Sequence, residues 1–196
     1  MAGEKYVVAA ADNSTQISIR NMLNPNGFVF LGNCSDFTSL MRLIRSYSPD
    51  FAVIDLSMPS RDFHKTLETI DDEMLCSLIA IGDYNDIDAG NILKFKTLSI
   101  CTKPLVRELL INTVEMSIIS YKRIYALDKK LKEMTESYET RKVVDRAKWI
   151  LIERDGISEN EAYEKMRKKS MDTRLSMKAI ADAIIFTYEI TSKKKG

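Results

Sequence analysis

The sequence predicts an α/β domain built on an open five-stranded parallel sheet, followed by an all-α part: a long helix and a three-helix bundle. Three observations carry this. Five short apolar runs alternate with helical segments through the first hundred residues, the pattern of a parallel sheet covered on both faces. From Arg107 onward the chain then has no glycine or proline until Gly156, which reads as one long helix. Beyond it lie short amphipathic segments with their own start and stop signals.

Taken in order, Tyr6-Val7-Val8-Ala9-Ala10-Ala11 reads as a buried strand that ends at Asp12-Asn13-Ser14 and feeds a helix. That helix carries Ile17, Ile19, Met22 and Leu23 and stops at Pro25-Asn26-Gly27. The second strand is Phe28 to Gly32, and a helix with Leu40, Leu43 and Ile44 on one face follows it. Further strands are expected at Phe51 to Asp55, Leu78 to Gly82 and Leu98 to Thr102. In such a sheet a ligand site forms at the carboxyl ends of the strands, here marked by Asp55 and Lys103.

Within the long helix Ile124, Leu127, Leu131, Met134 and Tyr138 are spaced 3, 4, 3 and 4 residues apart, a heptad seam flanked by Lys129, Lys130, Lys132, Glu133 and Glu136. The seam is expected to pair two copies of the chain, with packing on its own domain as the alternative, because just over two heptads is short for a free-standing coiled coil. The helix continues through Val143, Val144, Ala147, Ile150 and Leu151 and stops at Asp155-Gly156, where glycine serves as a C-cap. Ser158-Glu159-Asn160-Glu161 has the form of a capping box, opening a helix whose apolar face is Ala162, Tyr163 and Met166. After Ser170 to Thr173 a last helix is expected to turn Leu175, Ile180, Ala183, Ile184 and Tyr188 inward. Met171 is expected in the core rather than at a contact.

Composition narrows the function. The 196 residues are 45% hydrophobic and 29% charged, ordinary for a globular chain. No run approaches the roughly 20 apolar residues that span a bilayer, and no secretory leader pattern opens the chain, so a cytoplasmic protein without membrane contact is expected. Cys34, Cys76, Cys101 and the single His64 are scattered, which gives no zinc spacing and no Cys/His nucleophile pair. No metal cluster, triad or phosphate-cradling glycine loop is visible, so the chain is not expected to be an enzyme. Charge is asymmetric: residues 1–105 carry 9 Lys+Arg against 13 Asp+Glu, whereas residues 141–196 carry 14 against 9. A basic end behind an acidic front favours a polyanionic partner, although Lys193, Lys194 and Lys195 supply three of those charges.

Asp55-Leu56-Ser57-Met58-Pro59 closing the third strand and Lys103-Pro104 closing the fifth resemble a response-regulator receiver domain over roughly residues 4–120. The resemblance implies a flavodoxin-like fold, Asp55 as phosphoacceptor, Lys103 as its partner and a magnesium ion beside them. Several positions depart from that pattern. The two adjacent acids expected after the first strand are Ala10 and Ala11, with Asp12 one residue late; the hydroxyl residue ending the fourth strand is Gly82, followed by Asp83; the aromatic switch residue is Ile100; and a usual glycine is Phe63. Phosphoryl transfer depends on positioning and cation neutralisation, and Asp55 without further acids holds a hard cation only weakly. The pocket residues Asp12, Ser57, Gly82 and Lys103 are therefore expected to frame an Asp55–Lys103 ion pair in a degenerate receiver, with rescue of a metal site by Asp12 left open.

Arg141, Ala147-Lys148, Ile150-Leu151, Glu153-Arg154, Ser158 to Ala162, Ser170-Met171 and Ile180-Ala181 resemble the ANTAR domain. One departure is Trp149, where a small residue is usual; it is expected either to plug a packing gap or to stack on an unpaired base. The resemblance implies an RNA-binding antitermination regulator that binds, as a dimer, paired stem-loops of a nascent transcript. Candidate RNA contacts are Lys148, Arg154, Lys168, Lys169, Arg174 and Lys178, with Ser170 shaping the loop between helices. The expected domains are thus 1–120 receiver-like, 121–140 linker helix and 141–192 ANTAR. A protein or small ligand is expected to regulate the front domain. Two other readings stay open: a phosphorelay regulator acting through Asp55, and a protein-binding adaptor.

Overall fold

Hydrophobic runs too short for helices form five parallel strands, β1 Lys5–Ala9, β2 Val29–Cys34, β3 Phe51–Asp55, β4 Ser77–Gly82 and β5 Leu98–Thr102, in the order β2-β1-β3-β4-β5. The computed structural model describes residues 3–58, 63–83 and 94–193; Pro59, Lys194 and Lys195, named above, lie outside them. The chain divides into two compact units, Met1–Leu127 and Asp128–Gly196. Its helices are α1 Asn13–Leu23, α2 Phe37–Tyr47, α3 Phe63–Asp72, α4 Arg107–Asp155, α5 Glu159–Thr173 and α6 Met177–Lys193.

In the first unit the period of two along β1 and β3 sends alternate residues to opposite faces. Tyr6, Val8, Phe51, Val53, Ile79 and Ile81 meet Ile19 and Leu23 of α1 and Leu110, Val114 and Ile118 of α4. Val7, Ala9, Ala52, Ile54 and Leu78 meet Leu40 and Ile44 of α2 and Leu67 and Ile70 of α3. β3 and β4 are buried along their whole length, as strands central in a two-sided sheet must be. The helix starts are set by side chains: Asp12 accepts from the Thr15 amide at 3.1 Å and Asp36 from the Ser39 amide at 2.8 Å. Buried Asp71 accepts from the amides of Lys96 and Thr97 at 2.8 Å and from the Thr97 hydroxyl at 2.6 Å, which fixes where β5 begins.

The second unit is assembled around Val144, Ala147 and Leu151 of α4, Ala162 and Met166 of α5, and Ile180 and Ala181 of α6. Gly156 ends α4 at φ 66°, a backbone that glycine adopts without a Cβ penalty. The capping box forms as its sequence predicts, with the Ser158 hydroxyl receiving the Glu161 amide and Glu161 receiving the Ser158 amide at 2.9 Å. Four residues expected to face inward do not: Ala183, Leu175, Met171 and Tyr163 are exposed. The inward row of α6 is Met177, Ile180, Ala181 and Ile184, spaced i, i+3, i+4 and i+7. Ala183 lies about 200° around the helix from Ala181 at 100° per residue, and Leu175 precedes the helix altogether. None of the described helices is long and apolar enough to cross a membrane.

Candidate receiver pocket and nucleic-acid interface

At the carboxyl edge of the sheet, β3 ends in Asp55 and β5 leads into Lys103. The Asp55 carboxylate is 3% exposed and receives the Lys103 ammonium at 3.0 and 3.1 Å. Its Oδ1 also accepts from the Ser57 amide at 2.9 Å and the Ser57 hydroxyl at 2.7 Å. Burial pushes the Asp55 pKa up, but the two Ser57 bonds and Lys103 outweigh it and leave the carboxyl below its ordinary value.

The neighbouring positions close the pocket in other ways. A Cβ built on Gly82 falls 2.8 Å from Leu56 Cδ1 and 3.2 Å from Leu56 Cβ, so the leucine side chain fills the space of a β4-terminal hydroxyl residue. The carbonyl of Ala10 is taken by Gln16, whose Nε2 donates to it at 2.6 Å; the Gln16 Oε1 in turn accepts from Asn33. Asp12 is committed to the start of α1, where it also receives the hydroxyls of Ser14 and Thr15; these bonds draw its pKa down. Ile100 is half-buried on β5. One carboxylate already paired to an ammonium, with alanines in place of further acids, does not match the oxygen set that magnesium takes. Among the described residues no group of three or more acids, histidines or cysteines could hold a metal ion.

The sequence-named basic residues of the second unit fall into three places. Arg154, Lys168 and Lys169 line one groove of about 470 Å³, with Leu151, Met166 and Ile184 in its apolar lining. Lys165 joins them, a residue sequence reasoning missed; the signal for it was the i, i+3, i+4 spacing of Lys165, Lys168 and Lys169 on α5. Asp155 holds two of the four cations, accepting from Arg154 at 2.7 and 3.1 Å and from Lys165 at 2.7 Å. Those bonds press the Asp155 pKa far below the carboxylate range. Lys168 and Lys169 form no ion pair among the described residues, so their charge is open to an incoming anion.

Ser170, Arg174 and Lys178 gather at the turn between α5 and α6. The Ser170 hydroxyl donates to the Leu175 carbonyl at 2.5 Å, and Arg174 ends α5 at φ 56°. Lys148 stands apart: its ammonium, 15% exposed, bridges Asp145 at 2.8 Å and Glu159 at 2.6 Å. The bonds to those two carboxylates raise its pKa. Trp149 beside it is 70% exposed and fills no gap in the bundle. It borders a hollow of about 410 Å³ with Asp145, Lys148, Ile152 and Glu159.

Comparison with known proteins agrees with both halves. The family model of the ANTAR domain matches residues 132–185. Transcriptional regulatory protein PdtaR of Mycobacterium tuberculosis is 24% identical over 184 residues, covering 93% of this chain and 90% of that protein. The receiver domain of a modulated diguanylate cyclase from Desulfovibrio desulfuricans superposes with a TM-score of 0.53 at 18% identity, over 61% of this chain and 97% of that one. Chemotaxis response regulator CheY4 of Vibrio cholerae does so with a TM-score of 0.52 at 12% identity, over 59% and 99%. These structural likenesses establish the sheet and its helices as the receiver fold.

Proposed function

We propose that the chain, whose residues 132–185 match the ANTAR domain behind a unit of the receiver fold, is an ANTAR-type response regulator, a cytoplasmic, non-enzymatic antitermination regulator that binds RNA stem-loops. The observation that carries this is the α5–α6 groove. Its lining holds Lys168 and Lys169, which form no ion pair among the described residues, beside Leu151, Met166, Ile180 and Ile184. Splayed loop bases need an apolar or aromatic surface and their phosphates need cations, and the groove offers both. Arg174, Lys178 and Ser170 extend the charged surface around the helix turn.

Pairing of two copies through α4 completes the reading. Leu127, Leu131, Met134 and Tyr138 are 64–71% exposed, an arrangement that water disfavours and a second helix relieves. The receiver-fold unit acts as a degenerate receiver: Asp55 stays in its ion pair with Lys103 without magnesium, and a protein or small ligand regulates the unit. One observation favours the second reading, phosphorylation at Asp55. The Asp55–Lys103 pair stands at the sheet edge where receivers react, and Lys103 remains 28% exposed.

The test is binding of the purified chain to a tandem stem-loop RNA across a salt series, with and without acetyl phosphate and magnesium. Tight, salt-sensitive binding that ignores the phosphodonor is expected. Binding that appears only with the donor would restore Asp55 as phosphoacceptor, and no binding to such RNA would move the chain to a protein adaptor.

A further inference from the structure

We infer that Trp149 is an anchor of the interface between two copies of this chain, seated in the partner's hollow of Asp145, Lys148, Ile152 and Glu159, and that it does not stack on RNA. The inference rests on the reading that α4 pairs two copies, and extends it into the ANTAR domain.

The first support is the position of Trp149 on its helix. It lies 18 residues beyond Leu131, five whole turns at 3.6 residues per turn, and Ile152 stands in the same relation to Met134. On a straight helix Trp149 therefore shares the line of Leu131, while Ile152, on the line of Met134, is partly buried against the bundle core. The opposite side carries Val144, Ala147 and Leu151, which are buried against α5 and α6. Helix α4 thus has one apolar stripe consumed by its own bundle and, on the other side, Leu131, Met134, Tyr138 and Trp149 exposed to solvent.

Area gives the second support. At their exposures of 64%, 71%, 67% and 70%, Leu131, Met134, Tyr138 and Trp149 are open to solvent over most of their surface. Together they present about 650 Å² per copy, about 1,300 Å² for two, with Trp149 supplying close to a third. A specific interface needs about 1,000 Å² of total buried surface, which the surface offered by these four side chains clears, with the two tryptophans contributing about 400 Å² of it.

Charge decides between a second copy and RNA. The hollow beside Trp149 holds two carboxylates, Asp145 and Glu159, against the single ammonium of Lys148, which already bridges them. An RNA phosphate approaching Trp149 meets net negative charge. An indole N–H only donates, and the carboxylates retain acceptor capacity for it. In a two-fold pair each copy supplies one tryptophan and one hollow, the self-complementary arrangement such symmetry requires.

Trp149 is the single tryptophan of the chain, so its emission reports on this site alone. The experiment follows that emission and the sedimentation of the full-length chain over a dilution series, for the wild type, Trp149→Ala, Trp149→Phe and Leu131→Asp. The expected result is a red shift of the wild-type emission in step with dissociation of the dimer. Trp149→Ala should weaken association about thirtyfold, as for an interface hot spot, with Trp149→Phe closer to wild type; circular dichroism should show both variants folded. A wild-type dimer lost in Leu131→Asp, but with invariant emission and an unchanged dissociation constant in Trp149→Ala, would overturn the role of Trp149 and leave the seam intact. A chain monomeric at every concentration would overturn the seam and this inference together. Emission that shifts when stem-loop RNA is added to a preformed dimer, and not on dilution, would assign Trp149 to RNA and overturn the inference.

Discussion

Gly82→Ser restores the hydroxyl that a receiver sheet ordinarily carries at the end of β4, and the structure states its consequence. The new Cβ arrives 2.8 Å from Leu56 Cδ1, a side-chain end that must rotate away, and 3.2 Å from Leu56 Cβ, a tight contact that asks for a shift of a few tenths of an ångström. Leu56 leads directly from β3, and its amide donates to the Ile81 carbonyl at 2.8 Å, so its backbone cannot retreat without opening the sheet edge. Overpacking of this kind costs about 1–3 kcal/mol. Leu56 is half-buried, so Leu56→Ala alone should cost less than a fully buried leucine, about 1–2 kcal/mol. If the clash is the cause, the two changes are coupled: the double variant should be more stable than the sum of the single effects implies, by about 1 kcal/mol or more. Amide exchange of the β3 and β4 backbone, which reports opening of this unit by itself, is the assay. Additive effects of the two substitutions would refute the packing argument.

Further outcomes follow from the other contacts. Lys103→Met removes the cation that helps hold the Asp55 carboxyl below its ordinary value, leaving only the two Ser57 bonds to oppose burial, so the carboxyl rises from its wild-type position. In the wild type Asp55 contributes stability above the ordinary carboxylate range, near pH 4, that is lost as pH falls through its lowered folded value. In Lys103→Met the acid limb of a stability–pH curve should therefore move to higher pH. Lys168→Ala with Lys169→Ala should flatten the slope of log affinity for stem-loop RNA against log salt by about 1.4, at roughly 0.7 per lost single-strand phosphate contact; an unchanged slope would remove the groove from the interface. Ser158→Ala breaks the capping box and should cost the second unit about 1 kcal/mol in thermal unfolding. Acetyl phosphate with magnesium should leave the intact mass of the wild-type chain unchanged, and a phosphoryl adduct lost in Asp55→Asn would contradict the degenerate reading.

Strand and helix positions could be read from the chain because their signals are local. An apolar run between turn residues fixes β3, and a glycine-free, proline-free stretch fixes α4. The Asp55–Lys103 pair was readable for a related reason: both residues end strands that the parallel topology brings to one edge. What the sequence did not disclose depends on which of several candidate faces packs inward. Helix α6 carries apolar residues nearly all round, among them Ala183, Phe186 and Ile190, so its periodicity alone did not single out Ala181 over Ala183. Lys148 looked like the other lysines until Asp145 and Glu159 were seen to hold it from two helices. Leu56 carried no signal, because a leucine after a strand says nothing about the glycine it covers on the next one.

The fit of Leu56 over Gly82 also bears on how such a pocket changes over mutational time. Gaining a hydroxyl at position 82 passes through a destabilised chain unless position 56 shrinks first, and shrinking position 56 first opens a void that nothing yet fills. Either order of single steps descends before it climbs. The two residues work as a ratchet, holding the sheet edge in its present form against one-step change, whatever selection acts on the second unit.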